Sequence, residues 1–425
     1  MNRLALILLL IFCSVFFVEA CKNPDETDGT DNTDIMDDAA DFMDDSGMDG
    51  STDGLDDGTD DGGTFADTIR FASYNVSMFG NTEGEIAQQL SFGTVPKFAR
   101  IAEVIKIVAP DVLALMEFDY DETGESLNNF NNNYLAQGDN GIEYPYAYQV
   151  PSNTGLLSDT DIDGNGNISL PGDAYGFGTF NGQYAFALLS KYPIDIANLR
   201  SFQTFLWKDM PDALLPENAD GSSYYSNEVM DVFRLSSKNH IDLPIEMPNG
   251  HTVHAILAHP TPPVFDGAED RNGKRNHDEI RLLADYVVGA NYLIDDNGQS
   301  GGLATGESFV IMGDLNADPY DGDSANDAIL QLLDHPNINP AVCLGDMIAS
   351  SNGGAEHNQS SGDTGDPSHD TSFFGLRIDY ALPSNNLTVT NTGVFWPSST
   401  EENHFLIEDE AASDHLLVWV DVVVE

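Results

Sequence analysis

Gly313-Asp-Leu-Asn-Ala-Asp-Pro319 closes a short apolar run, Phe309 to Met312, and opens a polar loop. Downstream come Arg377-Ile-Asp-Tyr380 and Ser413-Asp-His415, each again at the edge of an apolar, strand-like run. Any one of these short runs is common. In this order they supply Asp314, Asn316, Asp379, Asp414 and His415. These are the groups needed to hold a divalent cation, orient a water and stabilise a phosphorane-like transition state.

Working outward, Ile69 to Val76 alternates and is β-rich, which predicts a first core strand. Pro96 to Ala109 has helical spacing through Phe98, Ile101, Val104, Ile105 and Val108, and Pro110 closes it. Val112 to Glu117 is an apolar run typical of a buried strand. Further strands are predicted at 184–190, 252–259, 309–312, 376–382, 387–396 and 415–424, with a long helix from Asp278 to Asp295. Many strands with a few helices between them predict two packed sheets with helices outside. Two polar stretches, 119–182 and 206–239, are too long for plain connections and are expected to be functional or to carry extra structure. A third, 350–370, is Ser/Gly/Asp-rich and is expected to be mobile.

The ends and the composition bound the setting. Residues 1–20 read as an export signal: Arg3, then an apolar run from Leu4 to Val18 too short to span a membrane comfortably. Val18-Glu19-Ala20-Cys21 fits either a lipobox, with Cys21 lipidated, or ordinary cleavage after Ala20. The expected location is the cell envelope or the outside. The three cysteines are Cys13, Cys21 and Cys343, which excludes a disulfide framework in the mature chain. Residues 21–68 are Asp-rich and nearly free of basic groups, so they read as a disordered, self-repelling tether, or as a weak calcium sponge. The folded domain is expected at 69–425. The chain has 71 Asp and Glu against 16 Lys and Arg, a formal net charge of −55. Such a body repels a polyanion unless salt screens it, so either the medium is saline or the substrate is small.

With these residues in place, the chain resembles the endonuclease/exonuclease/phosphatase superfamily across 69–425, with the nuclease branch closest in its Gly-Asp-Leu-Asn-Ala-Asp run. The resemblance implies a four-layer α/β sandwich: two packed, mainly antiparallel sheets with outer helices and the site at one edge of both sheets. It implies that Asn75 lies beside the metal, that Glu117 binds it, and that Asp414 is the last metal-side carboxylate. Met116 stands where the family usually has Gln. His259 matches the family His on the scissile phosphate, and Gln183 lies where some members have a carboxylate supporting that His. Asp379 matches the Asp that orients the terminal His415. The implied cofactor is Mg²⁺ or Mn²⁺, and the implied partner is a phosphate ester, with extracellular nucleic acid one candidate.

The chemistry supports these residue types independently. A hard cation takes carboxylate oxygens, available from Glu117 and Asp414, and keeps waters. His415 beside a carboxylate suits a general base whose tautomer Asp379 fixes. Asp314 can orient or deprotonate the attacking water, and Asn75 and Asn316 can donate to non-bridging oxygens. His254, five residues before His259 in one strand, falls on the opposite face and reads as packing.

Two further segments invite a function. Asp161-Ile-Asp-Gly-Asn-Gly-Asn167 follows the opening of a calcium loop, with oxygens from Asp161, Asp163 and Asn165 and Asn167 next in line. Gly172 replaces the usual twelfth-position Glu, and Asp173 could reach in instead. The alternatives are a structural Ca²⁺ site and a flexible acidic turn. Arg271, Lys274 and Arg275 form a basic cluster shortly after His259, followed by a helix that Asn276 or Asp278 could cap. They read as phosphate ligands or as a solvated helix start. Arg234 and Lys238 form a second, weaker pair.

The leading expectation is therefore a secreted or surface-anchored, monomeric, metal-dependent phosphodiesterase or nuclease, hydrolysing P–O bonds by water attack. The alternatives are a phosphomonoesterase or phospholipase-like esterase on small or lipid phosphates, and a non-catalytic calcium-dependent binding module. A binding module has no need of both His259 and His415.

Overall fold

The computed structural model describes residues 68–357 and 364–425. The export signal, Cys21, the acidic tether and the middle of the 350–370 stretch lie outside the described residues. Among the described residues eleven strands form two sheets: β1 (Thr68–Met78), β2 (Val112–Phe118), β3 (Tyr146–Val150), β4 (Phe186–Ser190), β5 (Arg200–Ser201), β6 (His240–Glu246), β7 (Thr252–Ala258), β8 (Ser308–Asp314), β9 (Asp379–Pro383), β10 (Thr388–Val394) and β11 (Val418–Val423). The orders are β10-β11-β1-β2-β4-β3 and β5-β6-β7-β8-β9. Only β1–β2 and β7–β8 pair in parallel, so both sheets are mainly antiparallel, as expected. Two long helices lie outside, α1 (Pro96–Val108) and α2 (Arg271–Val287). Among the described residues no helix is long and apolar enough to cross a membrane.

Alternation in β1 assigns its faces. Ala72, Tyr74 and Val76 pack outward with Phe98, Ile101 and Ile105 of α1. Ile69 and Phe71 pack inward with β7 and β8 residues such as Leu257 and Met312. Asn75 shares the parity of Phe71 and so faces the second sheet. In β2 the same rule puts Val112, Ala114 and Met116 inward and Leu113 and Leu115 outward. The alternation then breaks, because Phe118 joins the outer cluster. The break is at Glu117, whose φ of 53° is a left-handed conformation that a side chain rarely adopts. A residue bound by strict alternation to point at α1 is thereby re-aimed at the end of the sheet.

Three differences from the sequence expectation have physical causes. Strand β6 was not expected, because Asp242 and Pro244 interrupt its apolar run. Its Ile241, Leu243 and Ile245 nevertheless alternate into the core. Helix α2 begins at Arg271, seven residues before the predicted start, and has no side-chain N-cap. It ends at Val287, where Gly289 turns the chain with φ 75°. Within the stretch expected to be mobile, Gly353, Gly354 and Asp370 are buried, because the short helix Asn352–Glu356 packs there.

Candidate active site

The site forms where the ends of β1, β2, β7, β8 and β9 meet the segment before β11. Register brings the second sheet's groups level: Asp314 pairs with Asp379, and Leu257 pairs with Met312, so His259 and Asp314 end adjacent parallel strands. The motif's glycine is there for backbone clearance. A Cβ on Gly313 would lie 1.9 Å from the Ala258 carbonyl oxygen.

One atom is the focus. Asp314 Oδ2 accepts the Asn75 amide at 3.0 Å, and lies 3.5 Å from His259 Nε2 and 3.7 Å from His415 Nε2. The other oxygen accepts the Asn316 backbone N–H, and Asn316 Nδ2 donates to the Pro260 carbonyl. Asn316 takes a left-handed φ of 52° to do so. His415 Nδ1 meets Asp379 Oδ2 at 2.9 Å, which leaves Nε2 turned toward Asp314. Thr371 Oγ1 donates to that same Asp379 oxygen while accepting the Ile378 and Asp379 N–H groups. The orienting carboxylate is therefore itself oriented. Phe374 stands edge-on to His415 at 5.7 Å.

Glu117 and Asp414 adjoin this centre. Asp414 Oδ1 accepts the Ser77 hydroxyl at 2.6 Å. Burial, then the charges of Asp414 and Asp314, push the Glu117 carboxyl up to about 7. Asp414 stays below the usual range despite burial, held there by His415, the Ser77 hydrogen bond and Lys97. Burial also lowers His415, but the carboxylates of Asp379, Asp314 and Asp414 outweigh it and raise it well above an ordinary imidazole. His259 moves the opposite way, well below, through burial and then the charges of Lys238 and His415. Burial raises the Asp379 carboxyl to about 6 against the pull of His415. The fit to a hard divalent cation is good. Glu117 and Asp414 are crowded carboxylates whose mutual repulsion a cation would relieve, and Asp379 Oδ1 is a buried oxygen without a partner among the described residues.

Several expectations change. Asn75 was expected to lie beside the metal and to donate to non-bridging phosphate oxygens. Its amide instead holds Asp314, and its oxygen accepts the Ser77 N–H, so it positions both neighbours. Gln183 does not support His259; it donates to the Gly80 carbonyl and accepts from Thr179, tying loops together. His259 Nδ1 is buried with no partner among the described residues. Arg275 is not a phosphate ligand. It is buried and donates to the carbonyls of Leu235, Arg234 and Tyr175. Arg271 pairs with Glu269 and the Phe265 carbonyl. Arg234 lies 4.0 Å from the Tyr175 ring centroid and donates to Asn153. Of that basic set Lys238 alone acts on the site. It is buried, and its charge bears on Glu117 and Asp314.

Lys97, at the start of α1, was missed. Its ammonium donates to the Ser77 carbonyl at 2.6 Å and bears on Asp414 and Glu117. Nothing in its local sequence marks it, because its partners come from distant segments: Ser77 on β1, Glu117 on β2 and Asp414 before β11. Ser77 and Thr371 were missed for the same reason.

The Asp161 segment is closed by its own backbone-to-side-chain hydrogen bonds. Gly166 N–H reaches Asp161 Oδ2, Asn165 N–H reaches Asp163 Oδ1, and Asn167 N–H reaches Asn165 Oδ1. One oxygen each of Asp161, Asp163 and Asp173 lies within 4.8 Å of the others. Buried Asp173 accepts three backbone N–H groups, from Ile162, Asp163 and Ser169.

Several solved structures are similar to the chain. An endonuclease/exonuclease/phosphatase from Beutenbergia cavernae is 16% identical over 84% of this chain and 72% of its own, with a TM-score of 0.43. A family protein from Leptotrichia buccalis is 14% identical over 84% and 100%, at 0.45. A Staphylococcus aureus beta toxin mutant with bound magnesium ions is 16% identical over 83% and 99%, at 0.42. No curated protein sequence matches the chain. The Endonuclease/Exonuclease/phosphatase family matches residues 72–415, a span that begins in β1 and ends on His415. The chain belongs to that family of phosphoester-cleaving enzymes.

Proposed function

We propose that the protein is an exported, metal-dependent phosphodiesterase. The observation that carries this reading is the convergence of His259, His415 and Asn75 on Asp314 Oδ2, with Glu117 and Asp414 alongside. A divalent cation such as Mg²⁺ held by Glu117 and Asp414 would neutralise phosphate charge. The remaining work falls to the chain. Asp314 orients a water, and His415 Nε2 takes its proton while Asp379 holds Nδ1. His259, kept neutral by burial, donates to a phosphate oxygen, and Asn316 and Lys238 steady the developing charge. Export under residues 1–20, attachment through Cys21 and a monomeric state belong to the same reading and rest on sequence.

Nucleic acid and small or lipid phosphate esters remain the two substrate classes, and one observation favours the second. The arginines that would have tracked a polyanion are consumed in structural contacts. Hydrolysis of plasmid DNA, bis-p-nitrophenyl phosphate and p-nitrophenyl phosphate, with and without chelator and across salt, tests both levels. Chelator-sensitive cleavage of the diester, with DNA cleaved only at high salt or not at all, is the expected result. Chelator-insensitive cleavage, or no cleavage of any ester, overturns the reading.

Calcium at the Asp161 loop is a separate proposal. Ca²⁺ should raise the thermal midpoint by at least about 2 °C, since a ligand of the folded state alone stabilises it by mass action. Asp161→Ala/Asp163→Ala should lose that shift and keep metal-dependent turnover. Equal shifts in variant and parent would remove the loop as a site.

A further inference from the structure

The start of α2, expected to bind phosphate directly, is built into the strand ends that carry the site. Glu279 is fully buried, and its two oxygens accept the Ser237 and Thr261 N–H groups, each at 2.6 Å. Ser237 precedes Lys238, and Thr261 lies two residues beyond His259. The two segments flank the His240–Ala258 pair of β6 and β7. Around this clasp, Asn276 Nδ2 donates to the carbonyls of Thr261 and Leu315, the latter next to Asp314. His240 Nε2 meets the Glu279 carbonyl oxygen at 2.9 Å. Lys238 Nζ lies 3.4 Å from the Pro260 carbonyl oxygen, between the clasp and the carboxylates.

We propose that Glu279 is a positioning residue that sets Lys238 and His259 on the phosphate, with Lys238 the cation that touches it. This rests on the phosphoesterase reading above. Both partners of Glu279 are donors, so only a carboxylate satisfies them. An amide would turn its NH₂ against one of the two N–H groups and leave that group buried and unpaired. The negative charge has a second effect. Burial depresses the Lys238 ammonium, and Glu279 is the foremost charge opposing that. A displacement of either segment by about 1 Å is enough to cost on the order of a hundredfold in rate.

The test is a double-variant cycle with the full chain, Mg²⁺ and bis-p-nitrophenyl phosphate, together with calorimetric binding of inorganic phosphate. Glu279→Gln and Lys238→Met should each lower kcat about ten- to hundredfold and weaken phosphate binding. Their combination should lose much less than the product of the two. Asp278→Asn is the control. Asp278 is the preceding residue, is equally buried, and accepts Trp207 Nε1 and the Leu214 N–H. It should lower the thermal midpoint and leave kcat and phosphate binding unchanged. Should Glu279→Gln not fold, Glu279→Asp keeps the charge, loses the reach and carries the same expectation. Multiplicative losses, unchanged phosphate binding in Lys238→Met, or equal kinetic losses from Asp278→Asn would overturn the proposal. A parent that binds phosphate through Lys238 yet hydrolyses no ester would instead overturn the functional reading alone.

Discussion

Replacing His415 by alanine should lower kcat by about three powers of ten or more, with little change in KM, as expected for loss of a group used in the transition state. The argument is geometric. Asp379 engages Nδ1 at 2.9 Å, so the catalytic nitrogen is Nε2, facing Asp314 Oδ2 at 3.7 Å, where a water can be held between them. Asp379→Asn should cost less, because the ring keeps its place while losing the charge that fixes its tautomer. The double variant should be little worse than His415→Ala, since both act on one proton transfer. The pH profile separates the roles further. The base must be neutral, so activity falls as His415 protonates on the acid side. The Asp379 charge raises His415 and favours that protonation. Removing it must therefore shift the acid limb to lower pH even as the maximum rate falls. Additive losses, or an acid limb that does not move, would separate the two residues and end the general-base assignment.

The strand-end groups were legible because alternation and a polar break can be read within a few residues. Phe309 to Met312 must be buried, so Asp314 must end a strand, and the apolar runs after Asp379 and His415 place these two at the opening of β9 and just before β11. Contacts that depend on register were not legible. No local pattern tells that Asn75, on the inward face of β1, reaches Asp314 from the other sheet rather than a metal. Arg275 shows the commonest failure of charge reading. A cationic cluster near a site suggests ligands, yet its guanidinium is fixed by three backbone carbonyls on loops that only the fold brings together. Lys238, in the weaker of the two basic groups, faces the site because the neighbouring Ser237 N–H is tied to Glu279. Glu279 has no local mark in the sequence. Its burial follows from where α2 begins, and the helix start was misplaced by seven residues.

Glu117→Gln and Asp414→Asn should each weaken Mg²⁺ or Mn²⁺ binding by more than the roughly ten- to hundredfold that loss of a supporting group costs, and activity at fixed metal should fall with it. Calorimetry of metal binding reads the first effect without turnover. The two variants should differ in pH dependence. In the metal-free site burial and the neighbouring carboxylates push Glu117 up to about 7, whereas Asp414 stays depressed. A cation needs the ionised form, so below about pH 7 it must displace a proton from Glu117, and affinity falls as pH falls. Glu117→Gln should flatten that dependence over pH 6–8 (about one unit either side of the midpoint), while Asp414→Asn should keep it. Stability carries the same sign. A carboxyl raised in the folded state binds its proton more tightly there than in the unfolded chain. Metal-free stability should therefore decline as pH rises from the unfolded carboxylate range, about 4.3, to about 7. Added Mg²⁺ should recover it, most at and above neutral pH, where no proton has to leave. The Glu117→Gln protein should be the more stable of the two without metal and gain least from it. A thermal midpoint that responds to Mg²⁺ equally in parent and Glu117→Gln would place the cation elsewhere.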